Sequence, residues 1–162
     1  MGDPSGVGPE IVLRCAAEPG GLGEGVVVYG DAAILRHGAT LLGLDDLALG
    51  GLDIVDLGLL TVADHRPGEL DARAGAAARA YVEAATRDAL AGRVGGVVTM
   101  PMNKEATQLS DPSFVGHTEL IAELCGAERV TMMLTNGQIA VTHVSTHCSL
   151  QEAIHRVRRM RP

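Results

Sequence analysis

The sequence of 162 residues predicts an α/β protein of ordinary single-domain length. Three observations favour this fold class. Short apolar runs rich in β-branched residues alternate with helical patterns, as expected for layers of strands and helices. A glycine-rich loop, residues 2–8, opens the chain and leads into the first helical pattern. Near the other end, Asn136-Gly137 separates two apolar runs, which is a strong β-hairpin signal.

The first half of the chain is predicted to hold two helices and two strands. Pro9 suits the first turn of a helix over residues 9–17, which Pro19 and the glycines after it stop. Asp31 is a suitable cap for a second helix running toward Gly43. The strands are predicted at residues 26–29 and, more weakly, 52–55.

The second half begins with a long Ala-rich helix predicted over residues 71–90. A final helix is predicted from Ser149, which with Glu152 matches a capping box, to Arg161. The other predicted elements are a buried strand at 95–100, short helices from 103 and over 118–124, and hairpin strands at 129–135 and 138–144.

Composition excludes several classes of protein. With 13 basic against 20 acidic residues and a net charge of −7, the chain is not expected to bind nucleic acid without sequence preference. It has no apolar run of the ~18–20 residues that a membrane span needs, and no signal peptide at its start. Its three cysteines are an odd, widely spaced set, typical of free thiols. We therefore expect a cytoplasmic protein without a membrane or nucleic-acid partner.

Both ends of the sequence predict a chain cut from a longer one. Glycine loops that bind anions normally follow a strand that fixes their position, yet only Met1 precedes Gly2. The last helix reaches Pro162 without a glycine cap, and no further element follows to cover its apolar face.

The opening loop is the first candidate binding site, because glycines let a backbone approach a ligand closely and the next helix offers free N–H groups. Two standard interpretations fail. A Walker A loop needs Gly-Lys-Ser/Thr, but Gly8 is followed by Pro9-Glu10. The glycines at 2, 6 and 8 do not match the dinucleotide fingerprint either. A tight turn that only feeds the helix is the alternative, and the spacing of the glycines by itself favours it.

His143 and His147 are candidate metal ligands. On the predicted strand, four residues span about 13 Å, so both could not hold one ion at bonds near 2 Å. His147 is the better candidate, because it lies at a strand end before a capped helix, where ligand sites of α/β sheets gather. A structural histidine is the alternative.

Two further segments carry candidate chemistry. Thr118 is a plausible helix cap in Gly-His-Thr-Glu, residues 116–119, which places His117 beside free N–H donors suited to an anionic substrate. Twelve of the 13 basic residues are Arg, and the one lysine, Lys104, follows a predicted strand end, where it could act on an alcohol proton or bind phosphate. An ordinary cap and a chance lysine are the alternatives.

Four segments in this order and approximate spacing resemble the 4-hydroxythreonine-4-phosphate dehydrogenase (PdxA) family. They run along nearly the whole chain, so together they are far more specific than any one alone. They are GDPSGVGPE at residues 2–10, TMPMNKE at 99–105, GHTE at 116–119 and TH at 146–147.

The resemblance implies an isocitrate/isopropylmalate-dehydrogenase-like α/β/α fold and a homodimer. It implies NAD-dependent oxidation, with decarboxylation, of 4-(phosphooxy)-L-threonine or a similar 4-phosphorylated hydroxy acid, as in pyridoxal phosphate biosynthesis. A divalent metal (Zn²⁺, Mg²⁺ or Co²⁺) would polarise the reacting alcohol.

The family's site residues map onto four positions of this chain. His117 and Thr118 match its substrate-binding pair, His147 matches the first of its three metal histidines, and Lys104 matches a lysine near its active site. No residue of this chain is assigned to NAD.

The resemblance also implies that this is the N-terminal half of such an enzyme. Family members are about twice as long, and their other metal histidines and most nucleotide contacts lie in the other half. Residues 1–95 would belong to a first lobe and 96–162 to a second, and the chain alone is expected to be inactive. The alternatives are a paralogue acting on D-erythronate or D-threonate 4-phosphate or on a cis-dihydrodiol carboxylate, and a non-catalytic remnant.

Overall fold

The computed structural model describes residues 1–44, 47–146 and 148–159. Two compact units are present, Met1–Cys125 and Gly126–Pro162. Across the described ranges, no helix is both long and apolar enough to cross a membrane.

The first unit is a mixed α/β structure with one small parallel sheet. In the order of the chain its elements are α1 (Gly8–Ala17), β1 (Val27–Gly30), α2 (Ala32–Leu42), α3 (Leu47–Gly50), β2 (Asp53–Asp56), a 3₁₀ turn (Val62–Asp64), α4 (Ala72–Leu90), α5 (Lys104–Ser110) and α6 (His117–Leu124). Strands β1 and β2 pair in parallel, with Val28 opposite Ile54. The α/β prediction is confirmed. The α3 helix and the 3₁₀ turn were not predicted.

The core of this unit lies where α1, α2 and α4 meet β1. Leu13, Ile34, Leu35 and Tyr81 are almost completely buried there. The three aromatic residues all lie in apolar clusters, Tyr29 and Tyr81 in this core and Phe114 in a smaller cluster with Val82 and Leu120. Few aromatics are therefore enough, because each one fills a core position.

Asp31 is the N-cap residue of α2, as predicted, but its side chain makes no cap hydrogen bond. Its fully buried carboxylate instead accepts hydrogen bonds from the backbone N–H groups of Leu59 and Leu60 and from the Tyr81 hydroxyl, at 2.7–2.9 Å. Burial and this carboxylate both raise the pKa of Tyr81. Three hydrogen bonds stabilise the buried carboxylate more than a single cap bond would. Asp31 therefore joins the segment after β2 to α4.

The predicted strand at residues 95–100 was wrong: the structure assigns these residues to no strand. Val98 is 87% exposed and no neighbouring strand pairs with it within the described chain. A run of β-branched residues becomes a strand only when another backbone satisfies its N–H and C=O groups.

The second unit contains the predicted hairpin and final helix. Strands β3 (Met133–Thr135) and β4 (Ala140–Thr142) pair antiparallel around Asn136-Gly137, and Gly137 takes a φ of +87° that the turn requires. Helix α7 spans Leu150–Arg159, and the Ser149 hydroxyl accepts a bond from the Glu152 N–H at 3.3 Å, as expected for a cap. Both strands are shorter than predicted.

Candidate functional site

Most of the opening loop is buried, and the loop folds tightly over its own start. The Asp3 carboxylate accepts a bond from the Ser5 N–H at 2.8 Å, and the Gly6 N–H donates to the Asp3 carbonyl at 3.0 Å. Gly8 is required here, because a Cβ at this position would lie 2.2 Å from the Met1 carbonyl oxygen. These contacts fix the conformation of the loop before α1 begins.

The loop lies directly on the segment that ends in Lys104. The Asp3 N–H donates to the Pro101 carbonyl at 3.0 Å. Gly2 has a φ of +74°, and a Cβ there would lie 2.5 Å from the same Pro101 oxygen. Only glycine permits both the backbone angle and this close approach. Two of the four segments that carry the family resemblance are therefore in contact.

The Asn103 side chain begins α5 by accepting a bond from the Ala106 N–H at 3.1 Å. The backbone N–H of Asn103 also faces Asp3 and lowers the pKa of the Asp3 carboxyl. Burial raises that pKa more strongly, so the pKa of Asp3 lies above its usual value. Lys104 is the exposed first residue of α5. The structure therefore places Lys104 one residue after the contact between the two segments.

His117 brings the third segment to the same place. Its ring faces the backbone of Met100, which raises its pKa as a hydrogen-bond acceptor, while burial lowers the pKa more strongly. Its Nε2 is buried and finds no hydrogen-bond partner in the described chain. A buried imidazole nitrogen without a partner in the described chain is available to a ligand.

The prediction that Thr118 caps α6 was wrong. The helix begins at His117, and Gly116 occupies the cap position in an extended conformation without a side-chain bond. Thr118 lies half-buried in the first turn, beside His117. Gly and Thr both suit a cap position, and the helix begins one residue earlier than predicted.

His65 was not singled out by the sequence. It is 8% exposed, its Nε2 lies 3.1 Å from the Pro4 carbonyl oxygen, and its Nδ1 lies 2.8 Å from Nδ1 of His37. The Pro4 oxygen can only accept, so Nε2 donates to it and Nδ1 accepts from His37 in the neutral pair. His65 therefore anchors the opening loop from the side of α2. No local pattern signals this role, because its partners are 61 and 28 residues away.

The metal site predicted from the resemblance is not formed by the part of the chain that the structure describes. No group of three His, Cys, Asp or Glu side chains there could hold an ion. His147, the predicted ligand, lies outside the described residues. His143 directly follows β4 and is not in the strand where it was predicted.

Comparison with known proteins decides the family. The sequence profile described as "Pyridoxal phosphate biosynthetic protein PdxA" matches residues 24–161. The chain belongs to the PdxA family. This confirms the resemblance drawn from the four segments.

Two curated relatives illustrate the match. The D-threonate 4-phosphate dehydrogenase of Salmonella typhimurium is 36% identical over 94% of this chain and 50% of that protein. The 4-hydroxythreonine-4-phosphate dehydrogenase of Geobacter metallireducens is 36% identical over 94% of this chain and 49% of that protein. The chain thus spans about half the length of the relatives that it matches.

Solved structures agree with the sequence match. The 4-hydroxythreonine-4-phosphate dehydrogenase of Klebsiella pneumoniae superimposes with a TM-score of 0.82 at 36% identity, covering 94% of this chain and 51% of that one. A terephthalate 1,2-cis-dihydrodiol dehydrogenase of Burkholderia xenovorans gives 0.70 at 32% identity, covering 96% and 49%. These PdxA-type enzymes therefore share the fold of this half.

Proposed function

We propose that this chain supplies the substrate-binding part of an NAD- and divalent-metal-dependent dehydrogenase that oxidises, and then decarboxylates, a 4-phosphorylated hydroxy acid. The observation that carries the proposal is the buried, unpartnered Nε2 of His117 beside Met100. The opening loop contacts the same short segment, residues 100–103, which leads directly into α5. The names of the relatives supply the reaction class and the substrate.

His117 and Thr118 hold the substrate in this proposal. Burial favours the neutral form of His117, and its buried Nε2, which has no partner in the described chain, can accept a hydrogen bond from a substrate hydroxyl. After protonation the same nitrogen donates to an anionic oxygen. A phosphorylated hydroxy acid offers both a hydroxyl and anionic oxygens. Thr118 adds a side-chain hydroxyl of the protein in the same helical turn as His117. Lys104, at the start of α5, assists proton transfer from the substrate alcohol.

His147 is the residue of this chain that we assign to the metal. The described side chains do not by themselves fit a metal centre. We therefore propose that the other ligands and the NAD contacts come from the half of the relatives that this chain does not match, and we assign no reaction step to the ion.

The wider features of the resemblance complete the proposal. They are an isocitrate/isopropylmalate-dehydrogenase-like α/β/α fold, lobes divided near residue 95, a cytoplasmic homodimer and no activity of the chain alone. The mixed α/β structure of the first unit is compatible with this fold.

D-Threonate or D-erythronate 4-phosphate is the second candidate substrate. A relative named for D-threonate 4-phosphate and one named for 4-hydroxythreonine-4-phosphate are each 36% identical to this chain, so identity favours neither. All three compounds are 4-phosphorylated hydroxy acids, and the proposed role of His117 is the same for each.

The site assignment is tested by joining this chain to the unmatched second half of the Geobacter metallireducens relative and replacing single histidines. His117→Gln removes the imidazole and its buried nitrogen. We therefore expect KM for the phosphorylated substrate to rise about tenfold or more. His155→Gln, on the exposed face of α7, is the matched control and should leave KM within about twofold. An unchanged KM in His117→Gln would refute the substrate-binding role.

The metal assignment is tested in the same fusion. His147→Ala is expected to lower the bound metal and the turnover together, whereas His143→Ala should lower neither. Full metal content in His147→Ala, measured by elemental analysis, would contradict the assignment.

A further inference from the structure

The loop of residues 111–116 joins α5 to α6 and leads directly to His117. Asp111 fixes the start of this loop. Its carboxylate accepts hydrogen bonds from the N–H and the hydroxyl of Ser113 at 3.1 and 2.6 Å, and it lies 3.0 Å from the Arg79 guanidinium of α4. The first half of the loop therefore has a defined place against α4.

The second half of the loop has fewer side chains to hold it. The Phe114 ring is 6% exposed and lies in the smaller apolar cluster. Between Phe114 and His117 stand Val115, which is 47% exposed, and Gly116, which has no side chain. A buried ring fixes where the chain passes, but it leaves the following peptide group free to rotate about ψ of Phe114. The direction in which the chain enters α6 therefore needs another restraint.

Gln108 of α5 supplies this restraint. Its half-buried side chain donates from Nε2 to the Phe114 carbonyl oxygen at 2.8 Å. A carbonyl oxygen can only accept, so the amide nitrogen of Gln108 is the atom that faces it. Among the described residues, no backbone N–H bonds to this oxygen. Because the oxygen lies in the plane of the peptide between Phe114 and Val115, the bond fixes that plane.

Helix α5 also carries Lys104, the other candidate residue of this region. Gln108 follows Lys104 by four positions, so both lie on one face of the helix. The Asn103 cap and the contact of the opening loop with Pro101 fix where the helix starts. One helix therefore relates the position of Lys104 to the loop that ends at His117.

We propose that Gln108 is a positioning residue of the candidate site. Its bond to the Phe114 carbonyl sets the direction in which the chain enters α6, and this direction keeps Nε2 of His117 buried and available to a ligand. Without the bond, the peptide before Val115 rotates and the His117 ring gains contact with water. The placement of the ring needs no substrate, whereas any effect on catalysis rests on the proposed function.

The test uses the 162-residue chain and two substitutions at one position. Gln108→Met removes the donor and keeps a flexible side chain of similar length. Gln108→Glu keeps the shape but places a carboxylate oxygen against the carbonyl. Gln151→Met is the matched control, because Gln151 is exposed in α7. The pKa values of His117 and His65 are measured in each protein by NMR titration.

Burial lowers the pKa of His117 in the folded chain. In both Gln108 variants this pKa is expected to move toward its ordinary value of 6.5, because the ring becomes more exposed. The pKa of His65 should stay unchanged, and Gln151→Met should leave both values as they are.

Hydrogen exchange of single amides measures the loosening of the loop directly. The Phe114 N–H, which donates to the Asp111 carbonyl within the loop, should exchange about fivefold faster in Gln108→Met, a factor that corresponds to the ~1 kcal/mol of a typical hydrogen bond. The Asp111 N–H, which donates to Thr107 at the end of α5, should exchange at an unchanged rate.

A His117 pKa that equals that of the unmodified chain in both folded variants would overturn the proposal. So would an equal change in the pKa of His65, since it would show a general loosening of the first unit and not a local effect at His117.

A second measurement separates this proposal from the proposed function. In the fusion with the Geobacter metallireducens half, Gln108→Met is expected to raise KM for the phosphorylated substrate about fivefold, with kcat within about twofold. A shifted His117 pKa with an unchanged KM would support the role of Gln108 and contradict the substrate-binding role of His117.

Discussion

His65 holds the opening loop through contacts that the sequence does not reveal. Its ring donates to the Pro4 carbonyl and accepts from His37, so one buried imidazole joins the loop to α2. Burial and the nearby His37 both lower the pKa of His65. The loop in turn rests on Pro101, next to the proposed substrate residues. Protonation of a single side chain therefore affects the support of the whole candidate site.

Stability is expected to fall as the solution becomes mildly acidic. Burial lowers the pKa of the Met1 amine, His65 and His117 in the folded chain. The unfolded chain then binds protons first as the pH falls, which favours unfolding. Stability should be greatest above about pH 8 and decline through about pH 6 and below. The raised pKa of Asp3 acts in the opposite sense, at more acidic pH.

Urea unfolding between about pH 8 and pH 5.5 measures this dependence. His65→Gln removes one of the titrating groups and should flatten the decline below about pH 6.5, whereas the exposed His155→Gln should not. A free energy of unfolding that rises on acidification over this range would contradict the account.

Single-residue roles were predictable from the sequence only where they are local. Pro9 in the first turn of α1 and Gly137 in the hairpin were correct because neighbouring residues fix both conformations. The buried bonds of Asp31 and His65 were missed because they join residues 28 to 61 positions apart. His117 was singled out, but its free buried Nε2 depends on the fold around Met100.

At the scale of elements, the close packing of α4 against α5 positions the candidate site. Gly75 in α4 touches the backbone of α5, where a Cβ would lie 2.3 Å from the Ala106 carbonyl carbon and oxygen. Helix α5 begins at Lys104, directly after the segment that the opening loop contacts. The absence of a side chain at Gly75 thus sets where Lys104 lies.

Replacing Gly75 by alanine is expected to lower the free energy of unfolding by about 1–3 kcal/mol, because the backbone of α5 must move. Gly38→Ala in α2 is the matched control. Its Cβ would lie 3.2 Å from the Leu13 Cδ1 atom, which a small side-chain shift relieves. Alanine there should be near neutral or gain up to about 1 kcal/mol from helix propensity. Chemical denaturation of both variants checks this, and equal effects would refute the packing argument.

Helices were predicted better than strands. Residues 71–90 were predicted as a helix and α4 spans Ala72–Leu90, because its cap and its period are local features. Residues 95–100 have the composition of a strand but lack a pairing partner within the described chain. Sequence composition indicates which backbones suit a sheet, and the neighbouring backbone decides whether the strand forms.

At the scale of the whole molecule, the four family segments explain more than composition does. The acidic net charge argued against nucleic-acid binding without sequence preference, and neither the charge nor the few aromatics indicated a reaction. Three of the segments, residues 2–10, 99–105 and 116–119, share contacts at residues 100–103 in the first unit. The fourth includes His147, whose placement the structure does not describe.

The most direct test of the proposed function is NADH formation by the 162-residue chain, alone and fused to the unmatched half of the Geobacter metallireducens relative. The assay contains NAD, a divalent metal and either 4-(phosphooxy)-L-threonine or D-threonate 4-phosphate. We predict turnover by the fusion with at least one of the substrates, within the ~1–10³ s⁻¹ usual for enzymes, and none by the chain alone. A correctly folded fusion that forms no NADH with either substrate, or comparable turnover by the chain alone, would contradict the account.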